Sequence, residues 1–461
     1  MIAVDVLIVG AGPAGLSAAI EAADAGADVL VLDENERVGG QIYRQLPPEI
    51  TASTSLGDQT KARSLFQAVE SRRNIKVLCR TTAWGTRGPT TLAISTDDRV
   101  DDVNGRCLIV CTGAYDRPVP FPGWTLPGVI SAGAALTLLK GQRILPGRNV
   151  LLVGAGPIQL VLATYLVQGG AHLAGVLEAS TRWALYRRFP RLLGQWALLR
   201  EGVEYLVGLR RAGVRVRYGH TILRAEGEDR VRQAVVCRVD EQWKPLPGSE
   251  KALEVDAVIC GFGFVPATEL TALLGCDHQY SPWTGGWIAK HNRNMETSVP
   301  NVWVAGETTG VAGAVVAAEE GRLAGIAAAH RLGYLSESAA EVRSRKPRSR
   351  LAGLYRFRRA IDEVYRPREG LLDLLTPDTV VCRCEDVTAR GVSDALVNGA
   401  RRTAEVKTRT RAGMGPCQGR MCATSLAAMV GRYCATSAEE AGQSRVRPPI
   451  KPVPLSAFRT R

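Results

Sequence analysis

Residues 4–33, "VDVLIVGAGPAGLSAAIEAADAGADVLVLD", read as strand, glycine turn, helix and strand, and no other stretch limits the fold as strongly. Gly10, Gly12 and Gly15 form G-x-G-x-x-G directly after an apolar run, and Asp33 closes the next apolar run eighteen residues after Gly15. Glycines at this spacing permit a tight turn, close backbone approach to a pyrophosphate and close helix packing. The helix that opens at Pro13 and Ala14 aims its free N–H groups at the phosphates, and a carboxylate at the second strand end takes the ribose hydroxyls. Glu34 follows Asp33 and competes for that role, with Asp33 favoured. The expectation is an α/β dinucleotide-binding fold.

A second unit of the same kind begins at Asn149, "NVLLVGAGPIQLVLATYLVQGGAHLAGVLEAS". Gly154 and Gly156 match the first two glycines, Gln159 stands where the third belongs, and Glu178 ends the next strand. A side chain at the third position pushes the helix away from the strand, and Glu178 would bond a free ribose diol but repel a 2′-phosphate. NAD, ATP or another adenine nucleotide is one reading of this inserted site, and a purely structural fold is the other. NADP is disfavoured.

The C-terminal region carries four thiols in a pattern: Cys382-x-Cys384 in "VVCRCEDVT", thirty-two residues, then Cys417-x4-Cys422 in "GMGPCQGRMC". Zinc knuckles usually place two to four residues between paired cysteines, so C-x-C suits zinc poorly. Four thiolates also suit a 2Fe–2S cluster, and an empty thiol-lined domain remains a third reading. Basic residues nearby, Arg383, Lys407, Arg409, Arg411 and Arg420, would offset a cluster's negative charge and raise its potential. Eleven cysteines, otherwise loosely spaced, argue against a secreted disulfide framework and for a reducing cytoplasm. The chain opens with no basic leader, and its longest apolar region is broken by glycines, so neither a signal peptide nor a membrane span is expected.

Of the net charge of +13, residues 341–368 alone contribute ten basic minus three acidic, or +7. No nucleic-acid module surrounds them, which disfavours nucleic-acid binding and leaves a solvated connector or a partner-docking surface. The five histidines are scattered and form no metal spacing. No nucleophile–base pair stands out, so catalytic residues are left unassigned.

Further pieces extend the first fold: "VGGQIYR" with Gly40 and Gln41, "LIVCTGAYDRPVPFPG" with Thr112 and Gly113, and "TSVPNVWVAGETTGVAGAVVAAEEGRLAG" with Gly306, Glu307 and Gly313. Residues 1–335 resemble the two-dinucleotide-domain flavoproteins that include thioredoxin reductase. The resemblance implies FAD on the first glycine turn, contacts from these loops, and an acid on the ribityl chain, where Glu307 replaces the commoner aspartate. It also implies a helix after Gly313 that faces the flavin ring. The C-x-x-C of disulfide reductases is absent before residue 380.

The cysteine segment, residues 376–435, resembles the bacterioferritin-associated-ferredoxin type of 2Fe–2S domain found at the end of the anaerobic glycerol-3-phosphate dehydrogenase flavin subunit. With "GAGPAG", "GGQIYR", "TGAYDRP", "CRCEDVT", "TRAGMGPCQGRMC" and "RVRPPIKPVPL", the chain resembles the larger FAD subunit of heteromeric bacterial amino- and imino-acid dehydrogenases, of the opine oxidase, hydrogen cyanide synthase and D-hydroxyproline dehydrogenase type. That resemblance implies nested Rossmann-like domains: FAD binding at 1–118 and 263–335, an inserted nucleotide-like domain at 119–262, a basic linker at 336–375, a small helical 2Fe–2S domain at 376–435 and a Pro-rich tail at 436–461. It further implies a hetero-oligomer with a D-amino-acid-oxidase-like FAD subunit, a small ferredoxin-like subunit, FMN at a subunit interface, and electrons passing to a quinone chain through peripheral membrane contact. A self-sufficient NAD(P)H-dependent flavin reductase is the alternative function.

Overall fold

A computed structural model describes residues 2–47, 49–50, 59–97 and 99–458. The chain divides into two compact units, one made of Met1–Tyr115, Val265–Arg358 and Val446–Arg461, the other of Asp116–Phe264 and Arg359–Arg445.

The first unit is built on a sheet ordered Ile75–Leu78, Val29–Leu32, Ile2–Val9, Val100–Val110, Thr91–Ser95 and Thr82–Thr86, with Val302–Val304 also paired to Val100–Val110. The long strand Val100–Val110 serves two partners. Its N-terminal half runs antiparallel to Thr91–Ser95, and its C-terminal half runs parallel to Ile2–Val9 and Val302–Val304. Every residue of "VLVL" at 29–32 is buried, as a parallel strand covered on both faces requires.

Helix Pro13–Ala23 lies against helix Ala314–Arg331, and their contact is a seam of small residues. A Cβ on Gly321 would sit 2.0 Å from the Ala14 carbonyl oxygen, and one on Gly325 would sit 2.3 Å from that of Ala18. Glycine inside a helix costs roughly 1 kcal/mol against alanine. Here the backbones approach so closely that no larger residue fits. The C-terminal tail also joins this unit. Ile450 is buried in the sheet's core, its N–H donates to the Trp84 carbonyl at 2.9 Å, and Phe458 packs edge-on against the Trp84 ring.

The second unit carries a parallel sheet ordered Val216–Tyr218, His172–Glu178, Asn149–Gly154, Ala257–Gly261 and Val129–Ser131. A three-stranded antiparallel sheet, His220–Glu226, Gln233–Arg238 and Lys251–Glu254, accompanies it. Their shared core includes Phe121, Leu151, Trp243, Phe262, Leu371 and Leu374. The cysteine segment has its own core around Val381, Val392, Leu396, Val406, Leu426 and Val430. Trp124 ties the two together: its Nε1–H donates to the Val380 carbonyl at 2.6 Å, and the Arg383 guanidinium stacks over its ring.

The basic stretch read as a connector is largely helix, running over Glu337–Tyr365. Among the described residues no helix is long and apolar enough to cross a membrane.

Candidate functional site

The first glycine turn is held from one side and open on the other. Gly10 has φ +104°, and a Cβ there would meet the Cys111 carbonyl oxygen at 2.2 Å. A Cβ on Gly15 would lie 1.8 Å from the Gly10 oxygen, so the helix starts in contact with the turn itself. Gly12 differs. Its φ is −79°, and the nearest atom to a Cβ is Gly40 Cα at 3.9 Å, so nothing within the protein requires glycine there. With Pro13 at the first turn and no side-chain cap, the leading N–H groups of the helix face this open space.

Asp33 is buried beside the turn. Its Oδ2 accepts from the Ala11 N–H at 2.6 Å, and its Oδ1 accepts from the Asn35 N–H and Nδ2 at 2.8 Å each. Glu34 points elsewhere, to Lys451 at 2.9 Å. The "VGGQIYR" loop folds back so that the Gly39 N–H bonds the Ala11 carbonyl at 2.8 Å, and Arg44 Nη2 donates to Gln41 Oε1 at 2.9 Å. Thr112 Oγ1 donates to the Ala267 carbonyl at 2.7 Å, and the Gly113 N–H bonds Thr308 Oγ1 at 3.2 Å. Like Gly12, Gly113 and Gly313 have open surroundings, with no atom within 4 Å of where a Cβ would stand. Gly313 caps the start of helix Ala314–Arg331.

Two carboxyls stand behind this loop, Glu307 half-buried and Glu320 buried. Burial pushes Glu307 above the usual carboxylate range, with Arg358 and the Gly313 N–H opposing the rise. Glu320, which sequence reasoning passed over, binds the turn: its Oε2 accepts from the Gly306 N–H and Thr309 Oγ1 at 2.8 Å, and its Oε1 accepts from Tyr355 OH at 2.6 Å. Burial raises Glu320 to about 7 against those three donors. The available signal was a paired acid, Glu319-Glu320, inside a mostly apolar helix. Glu319 is satisfied by Arg350 at 2.8 Å.

The inserted turn packs against its own sheet as the first turn does, and Tyr365 stands beside it. A Cβ on Gly154 would strike the Gly261 oxygen at 2.0 Å, and one on Gly156 would meet the Tyr365 Cβ at 3.8 Å. Ser180 Oγ donates to the Val364 carbonyl at 3.1 Å, fixing that stretch beside the strand end. Glu178 is buried, accepts the Gly156 N–H at 2.9 Å and the Ser180 N–H at 2.8 Å, and is pushed by burial to about 7 despite these donors. Gln159 is buried as well. Its Nε2 reaches the Leu177 carbonyl at 3.2 Å, and its Oε1 has no hydrogen-bond partner.

The four C-terminal cysteines converge. Cys382 ends a short strand, Cys422 caps helix Ala423–Cys434, and both are buried, while Cys384 and Cys417 lie half-buried in turns. The Cys417 backbone N–H draws the Cys384 thiol down. Burial and the neighbouring thiols of Cys417 and Cys382 outweigh it, so Cys384 is raised. Cys422 is raised by burial first and then by Cys382, with which it hydrogen bonds. Hydrogen bonds join Cys384 with Cys417 and Cys382 with Cys422, and Cys417 and Cys384 also act on Cys422. Among the described residues no group of three or more His, Cys, Asp or Glu side chains is arranged around one metal ion. Of the nearby cations, Arg420 bonds the Cys417 carbonyl at 3.3 Å, whereas Arg411 pairs with Glu385 and Arg383 lies over Trp124. Gly415 is required by proximity, since a Cβ there would lie 2.2 Å from Cys384 Cβ.

The family pattern described as pyridine nucleotide-disulphide oxidoreductase matches residues 4–321, and that described as sarcosine oxidase A3 domain matches residues 376–460. The chain is 33% identical to hydrogen cyanide synthase subunit HcnB of Pseudomonas protegens over 98% of its own length and 97% of that protein's. It is 35% identical to an opine oxidase subunit of Agrobacterium tumefaciens over 98% and 90%. Among solved structures, L-proline dehydrogenase from P. horikoshii superimposes with a TM-score of 0.71 at 21% identity, covering 99% of this chain and 79% of that one.

Proposed function

The chain belongs to the pyridine nucleotide-disulphide oxidoreductase family of FAD-dependent oxidoreductases, and on that premise we propose that it is the electron-transfer subunit of a heteromeric dehydrogenase that oxidises an amino or imino acid. The observation that carries this reading is the pairing, in one chain, of an open glycine turn beside a buried carboxylate with a lobe of four converging thiols.

The donor sets fit both groups. FAD would lie with its pyrophosphate at Gly12 and the start of the Pro13–Ala23 helix, its ribose at Asp33, and its ring side toward Gly113 and Gly313. Room at these three glycines supports the placement: nothing stands within 4 Å of a Cβ at Gly113 or Gly313, and only Gly40 Cα, at 3.9 Å, near one at Gly12. A 2Fe–2S cluster takes two cysteines per iron. Four thiols that act on one another could supply those ligands, and the Cys382-x-Cys384 spacing suits a zinc knuckle poorly. When bound, the two groups would allow a two-electron donor to be matched to one-electron acceptors.

The protein's own contributions are positional and electrostatic. Asp33 would orient the ribose, Glu320 and Thr308 hold the backbone turns at Gly306 and Gly113, and desolvation raises Glu307 above the usual carboxylate range. Substrate oxidation is assigned to a separate D-amino-acid-oxidase-like FAD subunit, with a small ferredoxin-like chain and interface FMN completing the assembly and a quinone chain as acceptor. The relatives are named as subunits, which supports a hetero-oligomer. The reductase alternative is weakened by Gln159 and by Tyr365 packed at Gly156, where a nicotinamide nucleotide would need space.

Co-expression with a neighbouring D-amino-acid-oxidase-like chain tests the proposal. The pair should reduce a quinone analogue with an amino-acid donor, and this chain alone should not. Activity of this chain alone would overturn it.

A further inference from the structure

Helices Arg182–Leu192 and Trp196–Arg211, joined by only three residues, leave an uncommon set of side chains in water. Trp183, Tyr186, Phe189, Trp196, Val203 and Val207 are exposed, the two tryptophans by 61% and 67%. At about 100° per residue, Trp196, Val203 and Val207 fall on one line of their helix, with Arg200 and Arg210 on either side of it. Trp183, Tyr186 and Pro190 make the corresponding strip of the first helix, flanked by Arg187.

The charge is one-sided. Residues 182–211 hold seven arginines and two glutamates, for +5, with no lysine or aspartate. Arg188 and Arg191 pair with Glu363, Arg200 pairs with Glu204, and Arg182 stacks over Tyr218. Among the described residues Arg187, Arg210 and Arg211 have no ion pair. They stand beside the apolar strips.

We propose that this helix pair is a peripheral membrane-binding element that lies flat on an anionic lipid surface. Its tryptophan, tyrosine and aliphatic side chains would enter the boundary between headgroups and acyl chains, with the arginines among the lipid phosphates. A protein-docking face is the competing occupant, since aromatic residues and arginine are enriched there too, but the one-sided charge of +5 complements an anionic lipid surface. Here arginines border each apolar strip, as a surface that must meet both acyl chain and phosphate requires. With no helix able to span a bilayer among the described residues, such attachment would be to one leaflet only.

The experiment is vesicle co-sedimentation of the purified full chain. Vesicles of phosphatidylcholine with roughly one third phosphatidylglycerol should carry the protein down, pure phosphatidylcholine should carry far less, and added salt should release it. The double variants Trp183→Ser/Trp196→Ser and Arg187→Glu/Arg210→Glu should each lose at least about tenfold in partitioning. Both should keep the wild-type thermal unfolding curve and flavin content, since these side chains face water. No binding to anionic vesicles, equal binding to neutral ones, or variants that bind like wild type would overturn the proposal. So would a wild type indifferent to lipid whose association with a partner chain is broken by the same substitutions.

Discussion

Replacing Gly12 by alanine separates a glycine needed for folding from one needed for a ligand. At φ −79° alanine is unstrained, and its Cβ would have only Gly40 Cα nearby, at 3.9 Å. Such a replacement stabilises a protein by about 0.4–1 kcal/mol by restricting the unfolded chain. The apoprotein should thus be no less stable than wild type. Bound pyrophosphate is another matter, because the new methyl occupies the face across which phosphate approaches the backbone. Losing two charge-assisted hydrogen bonds, at about 1.5–3 kcal/mol each, weakens FAD by about 3–6 kcal/mol, or roughly 10²- to 10⁴-fold. The control is Gly15→Ala, whose Cβ would lie 1.8 Å from the Gly10 oxygen and which should destabilise the apoprotein itself. The assays are urea unfolding of the flavin-free proteins by tryptophan fluorescence and titration with FAD. A Gly12→Ala protein that retains flavin at wild-type affinity, or whose apoprotein is destabilised as much as Gly15→Ala, would refute the reasoning.

Three other outcomes follow from the same geometry. Glu320 titrates at about 7 in the fold against 4.5 normally, so its contribution is fully present below pH 4.5 and is lost as pH rises through about 7. Relative to Glu320→Gln, the wild-type apoprotein should lose about 3 kcal/mol between pH 4.5 and 8, and a pH-independent difference in urea midpoints would exclude it. Gly321→Ala forces a methyl to within 2.0 Å of the Ala14 oxygen and should cost about 1–3 kcal/mol or more, seen as a lowered Tm, while no change would mean the helices are not in contact. Rapid mixing with NADH or NADPH should leave the flavin oxidised on catalytic timescales, because Gln159 replaces the third glycine of the inserted turn and Tyr365 stands beside Gly156. Fast bleaching by either nucleotide would support the reductase reading.

Much of the flavin fold was legible because its signals are local: three glycines and one acid at fixed spacing, in a run of apolar residues with strand and helix lengths. The four-thiol pattern was legible for the same reason. What escaped are contacts between segments far apart in sequence that leave no period behind. Glu320 bonds Gly306 and Tyr355 through helix packing, Ile450 enters the sheet core from the tail, and Tyr365 covers Gly156 from the end of a helix that reads as a charged connector. The choice between Asp33 and Glu34 was also open in the sequence. The fold turns Asp33 to the glycine turn and Glu34 to Lys451, a residue more than four hundred positions away. The basic residues around the cysteines were read as a charge-balancing set, but hydrogen-bond geometry divides them, and Arg411 is engaged by Glu385.

The most direct test of the electron-relay claim is metal and sulfide analysis of the anaerobically purified full chain, alongside its Cys417→Ser variant. Wild type should carry about two irons and two acid-labile sulfides per FAD, with a paramagnetic signal on reduction. The variant should lose the iron and the signal while keeping its FAD, since the residues proposed to bind flavin and the cysteines belong to separate compact units. Zinc in place of iron, or iron unchanged in Cys417→Ser, would contradict the claim.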